Sequence, residues 1–261
     1  MNPALTIARK EIVDGLRDVR SVMASLFYAL IGPAVVGLVA MATRANAEPE
    51  AEAAVLTGMM AVFTLVSAFV GGMNVAMDTV AGERERRSLL PLLLNPVSRR
   101  NVVLGKWLAV SFFALAGLLV DVMGFAVVFA TTGTHLSAWG PGILLPAVLG
   151  LLSLPFLAAS IQLLISTVSR AVKEAQTYLS LIVFLPMGIG MFLVFSPAGK
   201  QAWCNFLPLV GQQLQLEALM KGQGISFLEP IGLGCLTVAL AIAILLVAAN
   251  RLQRDEIIYG N

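Results

Sequence analysis

Six apolar stretches, each about long enough to cross a lipid bilayer as a helix, dominate this sequence: Val22–Ala42, Ala54–Met77, Trp107–Ala130, Ile143–Val168, Thr177–Phe195 and Ile231–Ala249. A helix needs roughly 20 apolar residues to span the hydrocarbon core. Lipid offers no partner for peptide groups, so a spanning segment must satisfy its own backbone, as a helix does. The apolar–polar alternation of a transmembrane β-strand is absent. Composition agrees, because 58% of the 261 residues are hydrophobic and 12% charged, against roughly 45–50% and about 25% in soluble domains. The sequence therefore predicts an all-α integral membrane protein with six transmembrane helices.

Charge sets the orientation. With the N-terminus in the cytoplasm, the opposite side holds only Arg44, Lys200 and Lys221 of the 17 Lys and Arg. Cytoplasmic segments are enriched in these residues, so both termini are expected there. Val22–Ala42 is much longer than the roughly 7–15 residues of a signal-peptide core. Glu11, Asp14 and Asp18 precede it, so it reads as a retained span.

Residues 1–21 read as an amphipathic interfacial helix, followed by a membrane domain over 22–250 and a cytoplasmic tail over 251–261. Asn2 can cap the first helix with Pro3 at its first position. Leu5, Ala8, Ile12, Leu16 and Val19 recur at helical spacing and Arg9, Lys10, Asp14, Arg17 and Asp18 cover the rest. Such a helix suits the lipid headgroup region. Ser196–Pro230 contains a moderately amphipathic run, Leu209–Met220, that fits a short helix pair entering the outer leaflet.

The link between spans two and three, within 79–106, is the most informative segment. Glu83-Arg84-Glu85-Arg86-Arg87 extends span two into the cytoplasm, and Ser88 is placed to cap a second helix with Pro91 in its first turn. Asn95-Pro96 ends it. Leu89–Leu94 thus forms a very apolar cytoplasmic helix that needs a cover of headgroups or protein. Glu83, Arg84, Glu85, Leu89, Leu90, Leu92 and Leu93 are the candidate docking surface, and Arg170, Lys173 and Glu174 mark the second cytoplasmic loop.

The run Ala81-Gly82-Glu83-Arg84-Glu85, Ser88-Leu89-Leu90, Leu92-Leu93-Leu94-Asn95-Pro96-Val97-Ser98-Arg99 and Leu104-Gly105-Lys106 resembles the cytoplasmic signature of ABC-2 type permeases. Lys173-Glu174-Ala175-Gln176-Thr177-Tyr178 and the set Pro208, Gly211-Gln212, Met220 and Gly222 resemble its sodium-extrusion (NatB-type) branch. Relatives in that branch often carry a large external domain between spans one and two, where only Thr43–Ala53 stands here. The resemblance implies a coupling helix seated in a groove of a separate ATPase, an N-terminal connector helix, and a homodimer of permeases with two ATPase subunits. It implies a bacterial inner-membrane exporter, with membrane lipid and an accessory periplasmic or membrane protein as further partners.

The chain itself is expected to be non-catalytic, with ATP and Mg bound by the partner ATPase. A P-loop requires G-x-x-x-x-G-K-[ST]. Arg100 and Val194 occupy the first-glycine positions ahead of Gly105-Lys106 and Gly199-Lys200, and Trp107 and Gln201 follow the lysines. One histidine, His135, excludes an H-E-x-x-H metal site. Cys204 and Cys235 are the only cysteines, so neither a zinc site nor a disulfide framework is expected. A net charge of +2 gives no basis for nucleic-acid binding.

Within the spans, Asn74, Asp121 and Gln162 are the candidate translocation path, since polar groups in lipid face protein or water. A packing role between helices competes with that reading for each of the three. An ion-coupled secondary transporter and a force-transducing subunit without its own conduit remain the alternative functions. The substrate stays open among sodium or another small cation, a lipid-linked molecule and a peptide.

Overall fold

The computed structural model describes residues 2–43, 49–88, 97–132, 150–195, 201–221, 223, 226 and 228–252. Every regular element among them is helical. α1 (Pro3–Arg17) and α2 (Val19–Thr43) part only at Asp18, so the first helix ends before the expected boundary at residue 21. Asn2 caps α1, its side-chain oxygen accepting from the Ala4 amide at 3.1 Å. α3 (Pro49–Val70) turns at Gly71-Gly72 and continues as α4 (Met73–Met77), a π-helical turn (Asp78–Gly82) and α5 (Glu83–Glu85). There follow α6 (Arg99–Thr132), α7 (Ser153–Val168), α8 (Val172–Phe195), a 3₁₀ turn (Ala202–Phe206), α9 (Val210–Met220) and α10 (Leu228–Leu252).

Among the described residues, five helical stretches are long and apolar enough to cross a membrane: α2, Ala54–Glu85, α6, Val172–Leu193 and α10. The fourth predicted span differs. Residues 143–149 lie outside the described residues, and α7 is apolar but only 16 residues long. Pro155 stands in the first turn of α7, where its missing amide costs no internal hydrogen bond. Pro186 lies within α8, which continues to Phe195.

Side-chain contacts give the helix directions. Gly15 packs on Phe113, and Gly37 on Val128, so α1 and α2 ascend beside α6. α3 descends against α6, with Leu56 and Met60 clustered with Phe125 and Phe129 and Gly71 on Gly117 further along. α7 descends beside α3, α8 rises, and α10 descends until Leu245, Ala249 and Leu252 meet Val80, Val103 and Leu163. The start of α1, the end of α5, the start of α6, the α7–α8 link and the end of α10 therefore share one end of the bundle. Lys10, Arg84, Arg86, Arg87, Arg99, Arg100, Arg170, Lys173 and Arg251 all lie there.

The α3–α5 stretch is the most buried, and α2, α8 and α10 leave large apolar side chains exposed. Close approach uses small residues. A methyl on Gly71 would lie 2.9 Å from the Phe113 carbonyl oxygen and 3.2 Å from Gly117 Cα. Small residues serve membrane helix interfaces because lipid tails are as apolar as leucine and packing, not water exclusion, joins the helices.

The same physics shapes the face that α1 turns to α6. Leu5, Leu16 and Val19 are exposed, and the buried residues are Ala4, Ala8 and Glu11. Gly105 of α6 comes so close that a Cβ there would sit 2.7 Å from the Ala4 carbonyl oxygen. The small face admits α6, Glu11 meets its cation, and the leucines turn outward.

Candidate functional site

Successive helical residues diverge by about 100°, and Glu83, Arg84 and Glu85 use this to hold four other helices. Glu83 is buried and turned inward, its Oε1 2.9 Å from Nζ of Lys106 on α6. Lys106 is 0% exposed. Its ammonium also reaches Glu11 Oε1 of α1 at 3.1 Å and donates to the Thr79 carbonyl at 2.6 Å. Lys10 closes the ring, 3.2 Å from Glu11 and 3.8 Å from Glu83. Partial burial pulls the Lys10 ammonium down, but Glu11, Glu83 and Asp14 outweigh it and hold its pKa above the ordinary value.

Arg84 points to the end of α7. Its guanidinium donates to the carbonyls of Ser169 at 2.7 Å and Thr167 at 2.9 Å. The last carbonyls of a helix lack internal partners, and a cation also suits the negative end of its dipole. Glu85 points to the start of α8, where its carboxylate accepts from the Val172 amide at 2.9 Å. That is the complementary arrangement, an anion on the free amides of a helix start. Glu174 assists, accepting from the Arg170 amide at 2.7 Å. Lys173 and Arg170 are exposed.

The approach to this triad is shaped by the π turn. Asp78 and Arg86 pair through two bonds of 2.8 and 3.0 Å across it. A Cβ on Gly82 would push the Asp78 carboxylate out of its place in that pair. The Ala81 amide donates to the Ser166 hydroxyl of α7 at 3.1 Å. Beyond the triad, Arg87 takes φ 56. The Ser88 amide donates to the Glu83 carbonyl at 2.8 Å and that of Arg87 to the Arg84 carbonyl at 3.0 Å. These two bonds form a Schellman motif, here with arginine in the left-handed position usual for glycine. Ser88 thus ends one helix. Leu89, Leu90, Leu92 and Leu93, with the rest of 89–96, lie outside the described residues.

The candidate path residues do not converge. Asn74 is half-buried and donates to the Ser21 carbonyl of α2 at 3.4 Å. Gln162 is buried and donates to the Phe69 carbonyl beside the Gly71-Gly72 turn. Asp121 is 1% exposed and faces Thr64 of α3. Each lies between helices of the same chain. Trp107 likewise bonds a neighbouring helix, its indole donating to the Ser160 hydroxyl at 2.8 Å.

Sequence reasoning missed Glu11 and Lys106 as partners. Lys106 directly precedes an apolar span and reads there as an orienting cation. Glu11 adjoins Lys10 on a helix that carries several solvated charges. Their pairing is a tertiary contact with no local signature.

The ABC-2 family transporter protein model matches residues 5–244, and the chain belongs to that family, whose members are multi-pass membrane proteins. It is 36% identical over 220 residues to the ABC transporter permease protein NatB of Bacillus subtilis, covering 78% of this chain and 55% of that protein. It is also 36% identical over 122 residues to the probable ABC transporter permease protein NosY of Pseudomonas aeruginosa, covering 46% of this chain and 42% of the relative. NosY of Stutzerimonas stutzeri is 29% identical over 126 residues, covering 46% and 43%. The chain thus spans about half the length of the relatives it matches.

Proposed function

We propose that this chain is the membrane-spanning permease subunit of an ATP-driven exporter, non-catalytic itself, with ATP and Mg bound by a separate ABC ATPase. The observation that carries the reading is the Glu83-Arg84-Glu85 triad, which fastens α1, α6, α7 and α8 together immediately before the leucine-rich segment. A push on that segment is delivered to four helices at once. Leu89, Leu90, Leu92, Leu93 and the exposed Glu85 form the docking surface, Arg170, Lys173 and Glu174 flank it, and Glu83 and Arg84 brace it from within.

The basic end of the bundle is cytoplasmic under the positive-inside rule. The alternating helix directions support six crossings of a bacterial inner membrane, with both termini in the cytoplasm. α1 is the connector, its outward Leu5, Val13 and Leu16 toward lipid. Two copies assemble with two ATPase subunits. Asn74 and Gln162 bond helices within each copy and Asp121 is buried between helices facing Thr64, which supports a packing role for them over a path.

Co-purification of the full chain with its ABC ATPase in nanodiscs tests this reading. The expected result is a 2:2 complex that hydrolyses ATP and is lost on Leu90→Lys while membrane insertion persists. A chain that inserts and binds no ATPase would overturn it.

A further inference from the structure

Lys106 is a fully buried cation that docking itself does not need, and its surroundings explain why it is there. It lies between two carboxylates from different parts of the chain, Glu83 at the end of the span-two helix and Glu11 in the N-terminal helix, at 2.9 and 3.1 Å. Its third partner is the Thr79 carbonyl within the π turn. Lys10 bridges the same two carboxylates from outside, but its side chain is 58% exposed, against 0% for Lys106. Lys10 lies on α1 itself, so its 3.8 Å pair with Glu83 also joins α1 to α5, but an exposed pair of that length is worth little.

We infer that Lys106 is a positioning residue that makes α1 move with the docking segment, so that partner-driven movement enters the bundle through the N-terminal helix and span one as well as through α6. This rests on the docking reading above. Parting α1 from α5 would pull Lys106 from one of the two carboxylates it bridges in a site closed to water, so α1 follows α5 while the ring is intact. The small face of α1 allows this: Ala4 and Ala8 are buried, and Gly15 meets Phe113, which leaves Glu11 as its one buried charge. Beyond Asp18, α2 rises along α6, so a displacement of α1 is handed directly to span one.

The test places a single cysteine at Arg9, an exposed polar position of α1 outside the ring, in the permease–ATPase complex in nanodiscs. Its maleimide labelling rate is compared without nucleotide and with ATP plus vanadate. The original background is expected to show a nucleotide-dependent change in rate. Lys106→Met should lose that change and Lys106→Arg should keep it. Glu11→Ala should lose it too, and because it leaves the Glu83 and Thr79 bonds of Lys106 in place it covers the case in which Lys106→Met fails to fold. A change that persists in Glu11→Ala, or is lost equally in Lys106→Arg, would overturn the inference, as would its absence from the original background with ATPase bound. Failure of any ATPase to bind that background is a different result and overturns the docking reading beneath it.

Discussion

Replacing Gly71 by alanine should separate the two central helices without altering any polar group. The added methyl would sit 2.9 Å from the Phe113 carbonyl oxygen, 3.1 Å from Ala114 Cα and 3.2 Å from Gly117 Cα. All three are backbone atoms that cannot rotate away. Carbon atoms pack best at about 3.5–4.0 Å, so α3 and α6 must part by roughly half an ångström, and a gap of that size forfeits about a quarter of each dispersion contact it opens. Overpacking of this kind costs about 1–3 kcal/mol. Gly117→Ala meets Gly71 Cα at 2.9 Å, but it lies inside α6, where alanine recovers about 0.8–1.0 kcal/mol of helix propensity. Gly188 has nothing within 4 Å of the added atom, so Gly188→Ala should be neutral or slightly stabilising. Thermal unfolding in nanodiscs should rank the midpoints Gly71→Ala lowest, then Gly117→Ala, then the original chain and Gly188→Ala. At about 2–4 °C per kcal/mol the first shift is readily measured. Equal midpoints for Gly71→Ala and Gly188→Ala would refute the close-packing explanation of the Gly71–Gly117 crossing.

Arg87→Gly should raise stability by about 1–2 kcal/mol in the same assay, because arginine at φ 56 bears the left-handed penalty that glycine escapes. Arg84→Ala removes a guanidinium from two carbonyls and should cost about 1.5–3 kcal/mol, with faster limited proteolysis in the link around Arg170. Lys10 has a raised folded-state pKa, so its contribution is fully present below its unfolded value of about 10.4 and is lost as pH rises through the higher folded value. Hydrogen exchange of α1, corrected for the intrinsic rate, should therefore show no Lys10-dependent loss of protection between pH 7 and 9.

The positions of the membrane helices were legible because lipid imposes one demand, continuous apolar length with a self-satisfied backbone. Five long helices overlap predicted runs, and the continuation of span two to Glu85 was readable from its charges. The face that α1 turns to α6 was not legible, because periodicity identifies the apolar side of a helix but not what covers it. In water Leu5 and Leu16 would turn inward. Beside lipid they face out, and Ala4, Ala8 and Gly15 make the close contact. The Trp107–Ser160 bond was not legible for a related reason, since nothing local reveals which hydroxyl stands opposite the indole. The separate tasks of Glu83, Arg84 and Glu85 are set by the three helix ends and one cation that happen to surround them. The leucines that follow are known from sequence alone.

The central claim is that these leucines are presented to an ATPase by a braced helix end. A photo-crosslinking amino acid at Leu90 tests it most directly, in membranes containing the full chain and its ATPase, with the same probe at the exposed Leu38 of α2 as the far-end control. The account expects a covalent adduct with the ATPase from position 90 and none from position 38. Adducts from position 90 with lipid alone, in membranes where the ATPase is present, would contradict it.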